Sequence, residues 1–400
     1  MKLHSDYPFW MISEGLKNTF PTLQKNLSTD VAVIGGGITG ALVGHALCQA
    51  GLDVVVVEKR HVAHGSTSAS TAMLQYEIDK PLIELTKLVG AQTALRAYQL
   101  CCNALLTLED LCGAVSSPVD FELHPSLWYA SYRKHVKEIL KPEFAARRAA
   151  GFDVDYLDEA ELKQKFGFTA PGALLTRQAA HVNPYLLTNA LLENVVAMGG
   201  RVHELTHVDQ LTPSARGVVL HTGEGCTIKA KYAVVAAGYE CRSFLPAPVG
   251  SLTSSYAIVS KPLDEKHLWY RNALIWETRK VYHYFRTTHD RRIMIGGRDE
   301  QFYSPQKRDS LIARKSRALQ SDFQKIFPDI PFQTDFGWAG TFSETKDGLP
   351  YIGPCDNKRV LYAMGYGGNG ITFSVIAAQF LRDMVLGKKN AELGMFGFGR

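Results

Sequence analysis

Apolar and polar positions follow three rhythms along this chain. "DVAVIG" (Asp30–Gly35) is, after its aspartate, a short β-branched apolar run, which predicts a strand buried on both faces of a parallel sheet. "ITGALVGHALCQAG" follows with small and apolar residues at helical spacing and Gly51 as a stop. "LDVVVVEK" then predicts a second buried strand, completing a β-α-β unit. "YAVVAAG" (Tyr232–Gly238) predicts a third strand of the same sheet, far along the chain. It comes after "NPYLLTNALLENVVAMGG", a helix with Pro184 at its start and Gly199 and Gly200 at its end. The last stretch, "VLYAMGYGGNGITFSVIAAQFLRDMVLG", reads as strand, glycine loop and a helix ending near Gly387. Residues 115–175 and 251–332 behave differently. They mix aromatic and polar residues in alternation, as in "KVYHYFRTTHDRRIMIGG", which predicts antiparallel strands with one open face. The buried-strand unit is therefore expected to be discontinuous, with a second β-rich unit built from two insertions.

Composition narrows this modestly. The chain has 400 residues, 46% hydrophobic and 21% charged, as expected for a soluble globular protein with room for two packed units. The net charge of +5 is spread out. The nearest basic cluster, "RRIMIGGR" (Arg291–Arg298), alternates like a strand, so no nucleic-acid partner is expected. The seven cysteines include no C-x-x-C pair, which argues against a zinc site or disulfide framework and for a reducing, cytoplasmic compartment. The N-terminal residues lack a signal-peptide pattern. The apolar stretch from Val31 to Val57 carries His45, Gln49, Asp53 and a glycine cluster, so no membrane span is expected.

Gly35, Gly37 and Gly40 form G-x-G-x-x-G between the first strand and its helix. One glycine permits the tight turn, one lets a pyrophosphate approach the backbone, and one lets the helix pack on the strand. The helix N-terminus then receives the phosphate charge. Glu58, closing the second strand, can accept hydrogen bonds from a ribose and would repel a 2′-phosphate, which argues against NADP. The loop alone does not separate FAD from NAD. "HGSTSASTAML" (His64–Leu74) supplies hydroxyls suited to a phosphate or ribityl chain, and "VVAAG" (Val234–Gly238) lets a strand end approach a cofactor. "GYGGNG" (Gly365–Gly370) offers a second anion-ready helix start, a late return that suits a flavin.

With these motifs in view, the sequence resembles the FAD-dependent amine and amino-acid oxidoreductases typified by D-amino-acid oxidase, glycine oxidase and sarcosine oxidase. The resemblance covers nearly the whole chain. It rests on "VIGGGITG", "VVVVEK", "GSTSASTAML", "VVAAG", "YAMGYGGNGI" and the "GWAGT…DGLPYIGP" stretch from Gly337. The opening "YPFWM…FPTLQKN" also looks like the branch near γ-glutamylputrescine oxidase. The resemblance implies an α/β fold: a Rossmann-like FAD-binding domain (1–100, 176–250 and 333–400) with a second α+β substrate domain on an antiparallel sheet (101–175 and 251–332). It implies an extended FAD. Gly35, Gly37, Ile38, Thr39 and Gly40 would hold the pyrophosphate, with Glu58 and Lys59 at the ribose. Ser66, Thr67, Ser68 and Met73 would line the phosphate and flavin side, Val208 would pair its backbone with adenine, and Gly238 would pass the pyrophosphate. Gly365, Gly367, Asn369, Gly370, Ile371 and Thr372 would cover the flavin end.

Departures from the family pattern bear on the substrate. Amino-acid-oxidising relatives often place a carboxylate-clamping arginine just after W-x-G, where this chain has Thr341 and Phe342. A second such position, in "GYGGNG", holds a glycine. An amine with a remote charge is therefore expected, oxidised by hydride transfer to flavin N5 with hydrolysis of the imine. Amino-acid oxidation, with Arg286 as the clamp, is the alternative; a flavin-binding module serving a partner protein is another. Tyr256, Tyr284, Phe342 and Tyr366 are the expected substrate wall. His181 and His283 are candidate bases, and Asp347 is expected to shape a turn. "WAGTFSETKDG" lacks a cysteine and Ser68 stands where some relatives have histidine, so the expected cofactor is noncovalent FAD, with no metal.

Overall fold

The computed structural model describes residues 1–245 and 249–400. Among these described residues two sheets organise the chain. The first has eight strands, six of them ordered edge to edge as Tyr351–Pro354, Val360–Met364, Thr227–Val235, Leu27–Ile34, Val54–Val57 and Arg201–His203. All but the first of these six run parallel. Val208–Pro213 and Val218–Thr222 extend it as an antiparallel ribbon. The three strands predicted from apolar runs are direct neighbours at its centre. Val54–Val57 is buried at every position, as a strand covered on both faces must be.

Three helices cover one face: Ile38–Gln49, Pro184–Ala197 and Gly370–Val385. Ile38–Gln49 is buried nearly all round, which its small-residue composition permits. Val31, Val33, Leu42, Leu191, Phe373 and Ile376 belong to one continuous core.

The second sheet has nine strands. Eight follow the order Thr334–Glu344, Ser251–Ser260, Ile293–Glu300, Tyr284–Thr287, Leu274–Glu277, Glu122–Tyr129, Ala173–His181 and Met73–Gln75. Pairing is antiparallel except between Glu122–Tyr129 and Leu274–Glu277, which run parallel. Helix Ile312–Ile326 packs on it through Leu319 and Phe323, within a core rich in aromatics.

The expected domain limits do not follow these elements. Helix Ala91–Ala114 runs through the limit at 100/101 and packs on the first core, and strand Ala173–His181 spans 175/176. Met73–Gln75 and Thr334–Glu344, placed with the nucleotide unit by sequence, are strands of the second sheet. The "WAGTF" stretch therefore lies on an edge strand paired with Ser251–Ser260. Local patterning marks a strand but carries no information on which sheet will accept it. Among the described residues no helix is long and apolar enough to cross a membrane.

Candidate active site

In a parallel sheet the carboxyl ends of the strands leave a crevice for ligands. Here Gly35, Glu58, Ala236 and Gly365 each follow the last residue of a parallel strand, and all four line one long cavity. Its opposite wall is the second sheet.

The first glycine loop is shaped by close approaches. Gly35 has φ +117°, and a Cβ there would lie 2.5 Å from the Ala236 carbonyl oxygen. A Cβ on Gly40 would lie 1.8 Å from the Gly35 carbonyl oxygen, so the loop closes only on glycine. Gly37 caps the helix without a side-chain hydrogen bond, which leaves helix-start N–H groups for a ligand. The Ile38 N–H donates to Thr67 Oγ1 (3.0 Å), tying the serine-rich segment to the loop. Glu58 accepts from the N–H groups of Gly36 and Arg60, both at 2.8 Å. Burial pushes its carboxyl up, and those two donors hold it back. Beside it, burial would raise Glu240, but Arg60, Lys59 and the N-terminal ammonium hold it down at about 2.

The second glycine loop leads into helix Gly370–Val385, whose cap residue Asn369 also makes no side-chain cap hydrogen bond. Asn369 Nδ2 donates instead to the Glu77 carbonyl (2.8 Å), and the Gly368 N–H donates to Asp79 Oδ2 (2.8 Å). Thr39 Oγ1 and Ser374 Oγ lie 2.7 Å apart, joining the two helices that open on the cavity.

Most of the expected nucleotide-side residues face this cavity: Gly35, Gly37, Ile38, Thr39, Glu58, Lys59, Ser66, Thr67, Met73, Val208, Gly238, Gly365, Gly367, Asn369, Gly370 and Ile371. Gly40, Ser68 and Thr372 stand behind it. Ser68 is fully buried and donates to the Gly65 carbonyl, and Thr372 points at the Gln75 carbonyl.

At the far end, Tyr256, Tyr284, Phe342 and Tyr366 line the wall as expected. Arg286 does not. Its side chain is buried under Trp10 and donates to the carbonyls of Thr71, Ala72, Val182 and Thr287. It is buried and off the cavity wall, and burial lowers it to about 9. His181 and His283 also lie off the cavity. His283 Nδ1 bonds Glu277 Oε1 at 2.7 Å, its Nε2 faces Asp322, and His181 packs against His124. Asp347 accepts from the Leu349 N–H and shapes its turn.

Sequence reasoning missed the acidic part of this end. Asp79, Trp276, Tyr282 and Asp299 all line it. Tyr282 donates to Asp79 Oδ1 (2.8 Å). Asp299 Oδ1 is buried with no hydrogen-bond partner. Burial lifts the Asp299 carboxyl to about 6; Glu344 and Asp79 add repulsion, while Ser255 and Lys315 act the other way. One signal was available: the alternation that selected Tyr284 places Tyr282 on the same face. The lining cations, Lys59 and Arg60, sit at the Glu58 end, paired with Glu240.

The profile of the family described as FAD dependent oxidoreductase matches residues 30–384. The chain is 24% identical over 377 residues to the gamma-glutamylputrescine oxidoreductase of Escherichia coli (strain K12), covering 92% of this chain and 86% of that protein. It is 29% identical over 369 residues to a glycine oxidase of Bacillus licheniformis, covering 90% and 93%. Its fold matches the crystal structure of glycine oxidase from Geobacillus kaustophilus with a TM-score of 0.78 at 22% identity, over 93% of this chain and 99% of that one.

Proposed function

The chain belongs to the FAD-dependent oxidoreductase family, and from that premise we propose that it oxidises the C–N bond of a primary or secondary amine carrying a remote positive charge. The observation that carries this reading is the far end of the cavity. Two carboxylates, Asp79 and Asp299, stand there among Tyr256, Trp276, Tyr282, Tyr284 and Phe342. Carboxylates with aromatic faces attract an ammonium group and repel a carboxylate. Among the described residues lining that end there is no arginine or lysine.

The cavity fits an extended FAD. Two helix starts without side-chain caps open on it, and a carboxylate with two backbone donors stands beside the first of them. Gly35, Gly37, Ile38 and Thr39 would face the pyrophosphate, Glu58 and Lys59 the ribose, and Val208 the adenine. Ser66, Thr67, Met73 and Gly238 would line the middle, and Gly365 to Ile371 the flavin. Gly40, Ser68 and Thr372 would act from behind the wall. The bound cofactor supplies the acceptor for a hydride from the α-carbon of the neutral amine, and the resulting imine hydrolyses in water. Asp299, once ionised, holds the remote cation. Tyr282 fixes the orientation of Asp79, and the aromatic walls exclude water and align the α-C–H.

Attachment is proposed to be noncovalent, because among the described residues no cysteine lines the cavity and the one histidine that does, His207, is at the adenine side. Acid precipitation should leave the flavin in the supernatant. A reducing, cytoplasmic setting is supported by seven cysteines that are all free. The deciding experiment is anaerobic mixing of holoenzyme with cationic amines, neutral amines and amino acids while following flavin absorbance. Rapid bleaching by cationic amines is expected; bleaching by amino acids alone would overturn the substrate reading.

A further inference from the structure

Away from the cavity, three potential metal ligands meet on one face of the second sheet. Glu122 and His124 are two positions apart on one strand, so both side chains leave the same face. His181 ends the neighbouring strand and pairs directly across from Glu122. Glu122 Oε2 lies 3.5 Å from His124 Nε2 and 3.8 Å from His181 Nε2. The imidazole centroids are 4.4 Å apart, and all three ligand atoms lie within 4.8 Å of one another. Zinc held by nitrogen and oxygen at about 2.0–2.2 Å in a tetrahedron has ligand–ligand edges of about 3.3–3.6 Å, so the two Glu122 edges nearly match and the imidazole edge has to close from no more than 4.8 Å.

The hydrogen bonding also points to a missing partner. His181 is 1% exposed and His124 6% exposed. Neither ring nitrogen of His181 has a hydrogen-bond partner, and nor does His124 Nε2. Unsatisfied buried groups of this kind are rare because each forfeits its hydration without replacement. His124 Nδ1 lies 3.2 Å from the Arg271 carbonyl oxygen, so Nδ1–H donates there and the Nε2 lone pair faces Glu122 and His181. That is the outer-shell arrangement that orients a histidine ligand. Glu122 Oε1 bonds His289 Nδ1 at 2.9 Å, leaving Oε2 toward the two histidines. Glu122 and His289 are the exposed members and give an ion a route in.

We propose that Glu122, His124 and His181 form a site for a divalent metal, zinc by its two-nitrogen, one-carboxylate ligand set, with a fourth position open to water or His289. The buried Arg286 guanidinium repels a cation there, and Glu122, Asp120 and Asp290 offset that charge. None of the three ligands lines the cavity, so the metal is structural. It clips strand Glu122–Tyr129 to Ala173–His181, and His181 in turn pairs with Met73, a residue of the cavity wall.

The test uses holoenzyme stripped with EDTA and titrated calorimetrically with zinc chloride. One zinc per chain is expected, and His181→Gln or Glu122→Gln should weaken it at least about tenfold with flavin content unchanged. Free zinc a hundredfold above the wild-type Kd should raise the unfolding midpoint of the wild type by about 3 °C and that of the variants by no more than about half as much. If His181→Gln fails to fold, Glu122→Gln, at a half-exposed position, decides alone. Absence of saturable binding, or equal affinity in wild type and variant, overturns the proposal.

Discussion

At the Glu58 end of the cavity, three glycines of one loop and a carboxylate at the next strand end supply the shape. At the far end, Asp79, Trp276, Tyr282, Asp299 and Phe342 arrive from separate segments of the chain. The first end is steric and local: Gly40 packs on Gly35, five residues away. The second is electrostatic and distant, with Asp299 buried beside other carboxylates at a cost to stability. A cofactor end that must fit one invariant ligand is served by tight backbone packing. A substrate end gains its selectivity from placed charges and rings.

This contrast can be broken most severely at Gly40. Gly40→Val puts a side chain on the Gly35 carbonyl, and FAD binding should fall on the order of a hundredfold, with activity lost. Flavin content of the purified variant is the measurement.

Asp299→Asn should do the opposite: keep its flavin and lose about 10²-fold in kcat/KM for cationic amines, read by steady-state kinetics. It also carries a pH signature. Asp299 rises from 3.8 to about 6 on folding, so between those values the folded state binds more protons than the unfolded state. Its effect is therefore a penalty that grows as pH rises through that window and is full above it. Asp299→Asn should raise the thermal midpoint at pH 8 and leave it nearly unchanged below pH 4. A midpoint gain that is the same at both pH values would remove the burial argument.

Phe342→Arg adds a bidentate partner for carboxylates at the far end. The ratio of kcat/KM for amino acids over amines should rise about tenfold. The smallest effect on turnover is expected from Arg286→Met. Four backbone carbonyls lose a donor, so the thermal midpoint should drop by several degrees. Substrate preference should stay the same, because the guanidinium does not reach the cavity. A changed preference would restore the clamp.

The sequence by itself determined what depends on neighbours along the chain. Strand Val54–Val57, helix Ile38–Gln49, the two glycine loops and Glu58 were legible because β-branched runs, helical spacing and glycine's freedom act within a few residues. The family resemblance, resting on those motifs, carried the expectation of an FAD-dependent oxidoreductase. Only the tertiary structure decided that "WAGTF" edges the second sheet, that Arg286 turns inward, and that Asp79 and Asp299 share one wall. Each depends on pairing between segments far apart in sequence. An arginine or aspartate reads the same whether its strand faces a cavity or a core, because register and sheet assignment, not residue type, set the direction of the side chain.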